Sequence, residues 1–197
     1  MKKLIILTVL SLLILSSCTR EPANIEADFI DAESGEIYRL ANNQAVDFYF
    51  YYPENFILDK NAAMISIFIN DLEIIENELD GGAVLDVYVN PNLSAYVHST
   101  QENYADASQY WEEYMKPSLS VGFQDIFIES GGDIEIAGIS GRKYIYSASL
   151  GGKDYKYAQV IFFKDREIYT LTYTAPLSKF DKHLKVLDVV VETFAFK

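Results

Sequence analysis

Apolar and polar residues alternate at every second position over much of this chain, while two stretches repeat every third or fourth position instead. Two-residue alternation puts successive side chains on opposite faces of a strand, and the longer period marks one face of a helix. Residues 46–52 (VDFYFYY) open the clear strand pattern and stop at Pro53, and residues 56–58 follow. Residues 64–69 (MISIFI) end at Asn70-Asp71, and residues 83–89 (AVLDVYV) end at Asn90-Pro91. Ahead of these, residues 37–40 predict a short strand and residues 41–44 a turn. In the second half, strands are predicted at 123–129, 134–137, 142–149, 155–163 and 168–173. Turns at Gly131-Gly132, Gly138, Gly151-Gly152-Lys153-Asp154 and the polar 164–167 (KDRE) separate them. Spacing this short predicts antiparallel hairpins.

The first helical period is carried by Ala107, Tyr110, Trp111, Tyr114 and Met115. Ser99-x-x-Glu102 and Asp106-x-x-Gln109 each have the form of a capping box, and Pro117 is expected to stop the helix. Trp111 is expected to pack that helix onto the sheet. The second helix is predicted over 179–193 with Ser178 as N-cap. Its buried stripe is Phe180, Leu184, Leu187, Val190, Val191 and Phe194. Many strands with two amphipathic helices define an α+β fold class, a central antiparallel β-sheet flanked by helices. No internal repeat or second domain boundary is visible.

Composition sharpens this picture. The chain has 197 residues, half of them apolar, with 15 Tyr and 12 Phe. That is enough to bury a core, and the aromatic bias favours strands. The formal charge is −13, and a leader carrying Lys2 and Lys3 would leave the remainder more acidic still. Such a surface repels phosphate backbones and anionic headgroups, so nucleic acid is not an expected partner. One cysteine allows neither an internal disulfide nor a Cys-only metal site.

The position of that cysteine carries more than its count. Residues 1–18 read MKKLIILTVLSLLILSSC, a basic start, an apolar run from 4 to 15, then Leu15, Ser16, Ser17 and Cys18. The run has the length of a signal-peptide core and is too short to span a bilayer. The last four residues resemble the lipobox of bacterial lipoproteins. The resemblance implies signal-peptidase recognition at Leu15, Ser16 and Ser17, lipid attachment at Cys18, and cleavage after residue 17. Two acyl chains anchor stably where one binds only marginally. The expected organisation is a signal peptide over 1–17, an anchored cysteine and tether over 18–45, and a folded domain over 46–197. The expected location is the extracytoplasmic face of the cell membrane.

Tyr51-Tyr52-Pro53-Glu54-Asn55-Phe56 resembles the entry strand of PsbP-like domains. Further resemblance lies in Tyr110-Trp111, the Gly138 strand entry, Tyr144-x-Tyr146, Gln159-Val160-Ile161, Tyr169-x-Leu171-x-Tyr173-x-Ala175 and the closing Phe194-Ala195-Phe196. It covers roughly residues 45–196. The resemblance to this PsbP/Mog1-type family implies an α/β/α sandwich around an antiparallel sheet. It also implies partner binding without catalysis, as in a photosystem accessory protein and a Ran-binding import factor.

No catalytic set emerges from the residues. His98 is expected in a loop after a strand, and His183 at the edge of the last helix stripe. Gly138-Ile139-Ser140-Gly141 lacks the spacing of a nucleophile elbow. Gly81-Gly82 and Gly151-Gly152-Lys153 have no helix close behind to make a phosphate site. Asp71, Glu73, Glu76, Glu78 and Asp80 could offer oxygen ligands but lack calcium-loop spacing, so they read as a solvated edge. No cofactor and no metal are expected. The function expected is a non-catalytic protein-interaction or assembly module for membrane or envelope proteins. The alternative is a lipid-anchored small-ligand or cation-binding protein with a pocket between sheet and helix.

Overall fold

Along residues 155–162 both alternating sets of side chains are buried. Tyr155, Tyr157 and Ile161 face one way, and Ala158, Val160 and Phe162 face the other. A strand with two apolar faces needs a layer on each side. Both layers are present in the structure, a computed structural model that describes residues 28–59, 64–71, 74–79, 82–87 and 89–197. The leader with Leu15, Ser16, Ser17 and Cys18 lies outside the described residues, as do Glu73, Asp80 and Gly81 of the acidic stretch.

The first half of the chain supplies strands β1 (Asp28–Ile30), β2 (Ile37–Asn42), β3 (Phe48–Pro53), β4 (Ile57–Asp59), β5 (Met64–Phe68), β6 (Ile74–Leu79), β7 (Gly82–Val87) and β8 (Asn92–Ser99). Helices α1 (Ala107–Tyr110) and α2 (Lys116–Gly122) follow, joined by a π-helical turn over Trp111–Met115. Then come β9 (Gln124–Ile136), β10 (Ile139–Leu150), β11 (Lys153–Lys164) and β12 (Glu167–Pro176). The chain closes with α3 (Phe180–His183), α4 (Lys185–Thr193) and β13 (Ala195–Phe196). Seven strands form one antiparallel sheet in the order β4-β5-β8-β12-β11-β10-β9. Four form a second sheet, β1-β2-β3-β13, and β6-β7 form a separate hairpin.

One face of the large sheet packs Ala158, Val160, Phe162, Leu171 and Tyr173 against Phe48 and Phe50 of β3 and Phe180, Leu187 and Val190 of α3 and α4. The other face packs Tyr144, Tyr146, Tyr157 and Ile161 against Ala107, Tyr110, Trp111 and Leu119. The result is the expected antiparallel α+β architecture, with helices on both faces and a small sheet beside α4. The Trp111 ring lies flat on Tyr144, centroids 3.9 Å apart, so it seats the helix on the sheet as predicted. Tyr114, assigned to the same apolar face, is instead half exposed.

Several elements differ from the sequence expectation, each for a physical reason. Residues 92–99 were given no strand, yet β8 lies inside the large sheet and carries His98. Only Leu93, Ala95 and Val97 face the main core, while the opposite face of β8 is Ser94, Tyr96 and His98, which mutes the alternation. The acidic stretch forms β6 and pairs with β7. Pro117 does not end the first helix. The wide turn before it, with Lys116 N–H donating to Trp111 C=O, lets the chain continue past a residue that has no N–H to give. Lys179, not Ser178, is the N-cap of α3, because its N–H is held by Pro176 C=O and the helix starts one residue later. Strand β1 pairs with β2, and β2 with β3, so the folded region extends ahead of residue 46.

Gly131-Gly132 is not a turn. Strand β9 runs through it, paired to β10. A Cβ on Gly131 would meet Tyr144 Cδ1 at 3.0 Å, so glycine here suits the close approach of a ring and not chain reversal. The true turns are at Ala137-Gly138 and Gly151-Gly152, where both central residues have positive φ, the geometry that suits tight hairpins.

Candidate functional site

Sheet edges present unpaired backbone donors and acceptors, and folded proteins blunt them. Here β1 and β4 are three residues long and β13 two. Strand β9 is different: it has 13 residues, ends the large sheet, and pairs only with β10 among the described residues. Residues 130–136 hold unbroken register with 139–145. A register shift leaves Glu129 as an extra residue before that run.

The edge is acidic. Asp133 pairs in register with Arg142, whose Nη1 donates to its carboxylate at 2.5 Å.

 Asp133 is the outer member of the pair, 89% exposed against 30% for Arg142. Glu135 follows two residues on, exposed on the same face of the strand. Beside them an open depression of about 390 Å³ is lined by Asp106, Ser108, Asp133, Ser140 and Arg142. Asp106 also caps α1, its Oδ1 accepting from Gln109 N–H at 2.8 Å. On the other face Glu129 accepts from Lys156 at 2.6 Å, and Phe127 stands 65% exposed.

A second feature crosses the sheet beneath α1 and α2. Ser66, Ser94, Thr172, Gln159, Tyr144 and Gly131 form one register row over six strands. The hydroxyls of Ser66 and Ser94 are 3.0 Å apart, and Gln159 Nε2 donates to Thr172 Oγ1 at 3.0 Å. Gln159 Oε1 is buried without a partner among the described residues. Burial pushes the nearby Tyr157 hydroxyl up to about 12 and raises Tyr146 further, so both remain protonated donors near neutral pH. This row can hydrogen-bond a polar group but has no acid or base for proton transfer.

The two histidines are apart. His98 on β8 shares a hydrogen bond with Tyr110 at 3.2 Å on the α1 face, and burial lowers its pKa. His183 belongs to α3 on the opposite side, where Nε2 lies 2.8 Å from Asp71 Oδ2. Asp71 also accepts from Lys179 at 3.0 Å and Lys182 at 2.7 Å. His183, Lys182 and Lys179 hold its carboxyl well below the usual range. Asp71, grouped with an acidic run expected to be a solvated edge, is instead engaged by these three side chains. Among the described residues no cluster of three or more metal-ligating side chains occurs. Ser140 lies on β10, in a hairpin and not at a strand-to-helix elbow.

Leu15, Ser16, Ser17 and Cys18, the residues singled out for lipid attachment, fall outside the described residues. The β9 edge was missed from sequence because Gly131-Gly132 mimics a turn. The available signal was the alternation of Ile134 and Ile136 with Asp133 and Glu135, continuing past the glycines.

No protein-family model matches the chain, and no curated protein matches it in sequence. Solved structures do match in fold. The Ran-binding protein Mog1p of Saccharomyces cerevisiae aligns with a TM-score of 0.56 at 10% identity, over 82% of this chain and 96% of its own. The cyanobacterial PsbP of Synechocystis aligns at 0.55 and 13% identity, over 93% and 99%. LpqN, involved in cell envelope biogenesis of Mycobacterium tuberculosis, aligns at 0.53 and 15% identity, over 76% and 83%. The chain therefore has the α+β fold shared by PsbP-like and Mog1-like proteins.

Proposed function

We propose that this chain is a non-catalytic protein-interaction or assembly module, exported and held by lipid on Cys18 at the extracytoplasmic face of the membrane. The observation that carries the reading is β9, a 13-residue edge of the large sheet that pairs only with β10 among the described residues, where edge strands β1, β4 and β13 are two or three residues long. An open edge is a template for another chain. The leader and Leu15-Ser16-Ser17-Cys18 support the anchor and the location. Proteins of the same fold named for Ran binding and for envelope biogenesis are compatible with such a role, though a fold hosts many functions. The test is in-cell crosslinking of wild type beside Cys18→Ser, read by mass spectrometry. A specific membrane or envelope protein captured by the anchored form alone is the expected result. Capture of nothing specific by either form contradicts it.

A second reading, binding of a small polar ligand, is favoured by Gln159 Oε1, buried on the covered sheet face without a partner among the described residues. Its check is a thermal-shift screen of the full chain in detergent against sugars and amino acids. A ligand that raises Tm in wild type but not in Gln159→Leu supports this reading, and a flat screen removes it.

A further inference from the structure

The run 130–136 offers backbone in unbroken register, with no side chain at Gly131 or Gly132 to obstruct an approaching strand. A Cβ built on Gly132 meets nothing within 4 Å. Asp133 and Glu135 project from one face of this run, and Asp133 and Asp106 line the depression beside it. Arg142 beneath Asp133 leaves the carboxylate outermost.

These features weigh against a second copy as the natural occupant. Antiparallel self-pairing centred on Asp133 puts that carboxylate opposite itself, and pairing centred on Ile134 puts Asp133 opposite Glu135. Like charges directly opposite one another are destabilising. The chain's formal charge of −13 adds repulsion at longer range.

We infer that β9 accepts an added antiparallel strand from a basic, extended segment of a partner protein, with its cationic side chains over Asp133 and Glu135. This rests on the interaction-module reading and specifies the partner's chemistry. In an antiparallel strand, the residues opposite Glu135, Asp133 and Gly131 occur in that order, two apart. The complementary pattern is therefore basic-x-basic-x-aromatic. The aromatic residue falls opposite Gly131, against the edge of the Tyr144 ring that already fills the space above that glycine. The backbone supplies the attachment, and the two carboxylates select the sequence.

The experiment titrates the full chain in detergent micelles with a fluorescent peptide, Thr-Lys-Val-Lys-Val-Tyr-Thr. Its comparators are the same peptide with both lysines replaced by glutamate, and one N-methylated at alternate backbone amides. The double variant Asp133→Lys/Glu135→Lys is tested alongside, after circular dichroism shows that it keeps the wild-type fold. Wild type is expected to bind the lysine peptide about tenfold or more tightly than the glutamate peptide, and the variant to reverse the preference. N-methylation on the docking edge is expected to abolish binding. Equal binding of the lysine and glutamate peptides, indifference to N-methylation, or no binding of the lysine peptide overturns the inference. If the lysine peptide fails while wild type still captures protein partners in cells, strand addition falls and the interaction reading stands. If both fail, both fall.

Discussion

Gly131 and Gly141 are both closely approached, but by different kinds of neighbour. A Cβ at Gly131 would meet Tyr144 Cδ1 at 3.0 Å, and a Cβ at Gly141 would meet the Ile161 carbonyl oxygen at 2.7 Å. A ring stacked on Trp111 can shift slightly, whereas a backbone carbonyl inside a sheet cannot without disturbing the ladder. Gly141→Ala is therefore expected to lower stability more than Gly131→Ala, with costs of about 1–3 kcal/mol for such overpacking. Chemical denaturation of the two variants checks the order. Asp71 makes a different prediction. Its folded pKa is depressed, so its contribution is present above the unfolded value near 4 and is lost as pH falls below it. Asp71→Asn is expected to cost about 1 kcal/mol near neutral pH and to lose less stability on acidification than wild type. Denaturation midpoints at neutral and acid pH measure both. From sequence, Asp71 looked like one more residue of an acidic run. Its partners Lys179, Lys182 and His183 lie more than a hundred positions away, where no local pattern reveals them.

At the scale of elements, legibility followed contrast. Strands β10, β11 and β12 carry bulky apolar residues between sharp Gly or Asp turns, and their hairpins were readable. The last helix was readable from Phe180, Leu187 and Val190. Strand β8 was not, because Ser94 and His98 hide its alternation, and β9 was not, because glycines that serve a ring looked like glycines that serve a turn. The cap at Asp106 was readable and is present, with Gln109 Oε1 reaching back to accept from Ala105 N–H in place of Asp106 N–H. Asp106→Ala is expected to cost about 1 kcal/mol by leaving the Gln109 N–H unsatisfied, seen as a lower denaturation midpoint with the fold retained.

At the scale of the whole molecule, the large sheet buries both faces and, among the described residues, leaves one long edge, so the surface most available for another chain is β9. The fold class was legible because periodicity and resemblance agreed. The candidate surface was not, because an edge is a property of strand order and strand order is not written locally. The leader makes its own prediction. Cys18→Ser is expected to leave an unlipidated precursor, detected by the loss of acyl mass and the retention of residues 1–17. Normal processing and membrane retention of that variant would sink the lipobox reading.

The most direct test of the central claim is position-resolved photocrosslinking in cells. A photoreactive residue replaces Ser130 on β9 or, as a control, the exposed Ile57 on β4. The account predicts a specific protein adduct from position 130 and none from position 57. Adducts from position 57 alone, or no difference between the two positions, would contradict β9 as the docking edge.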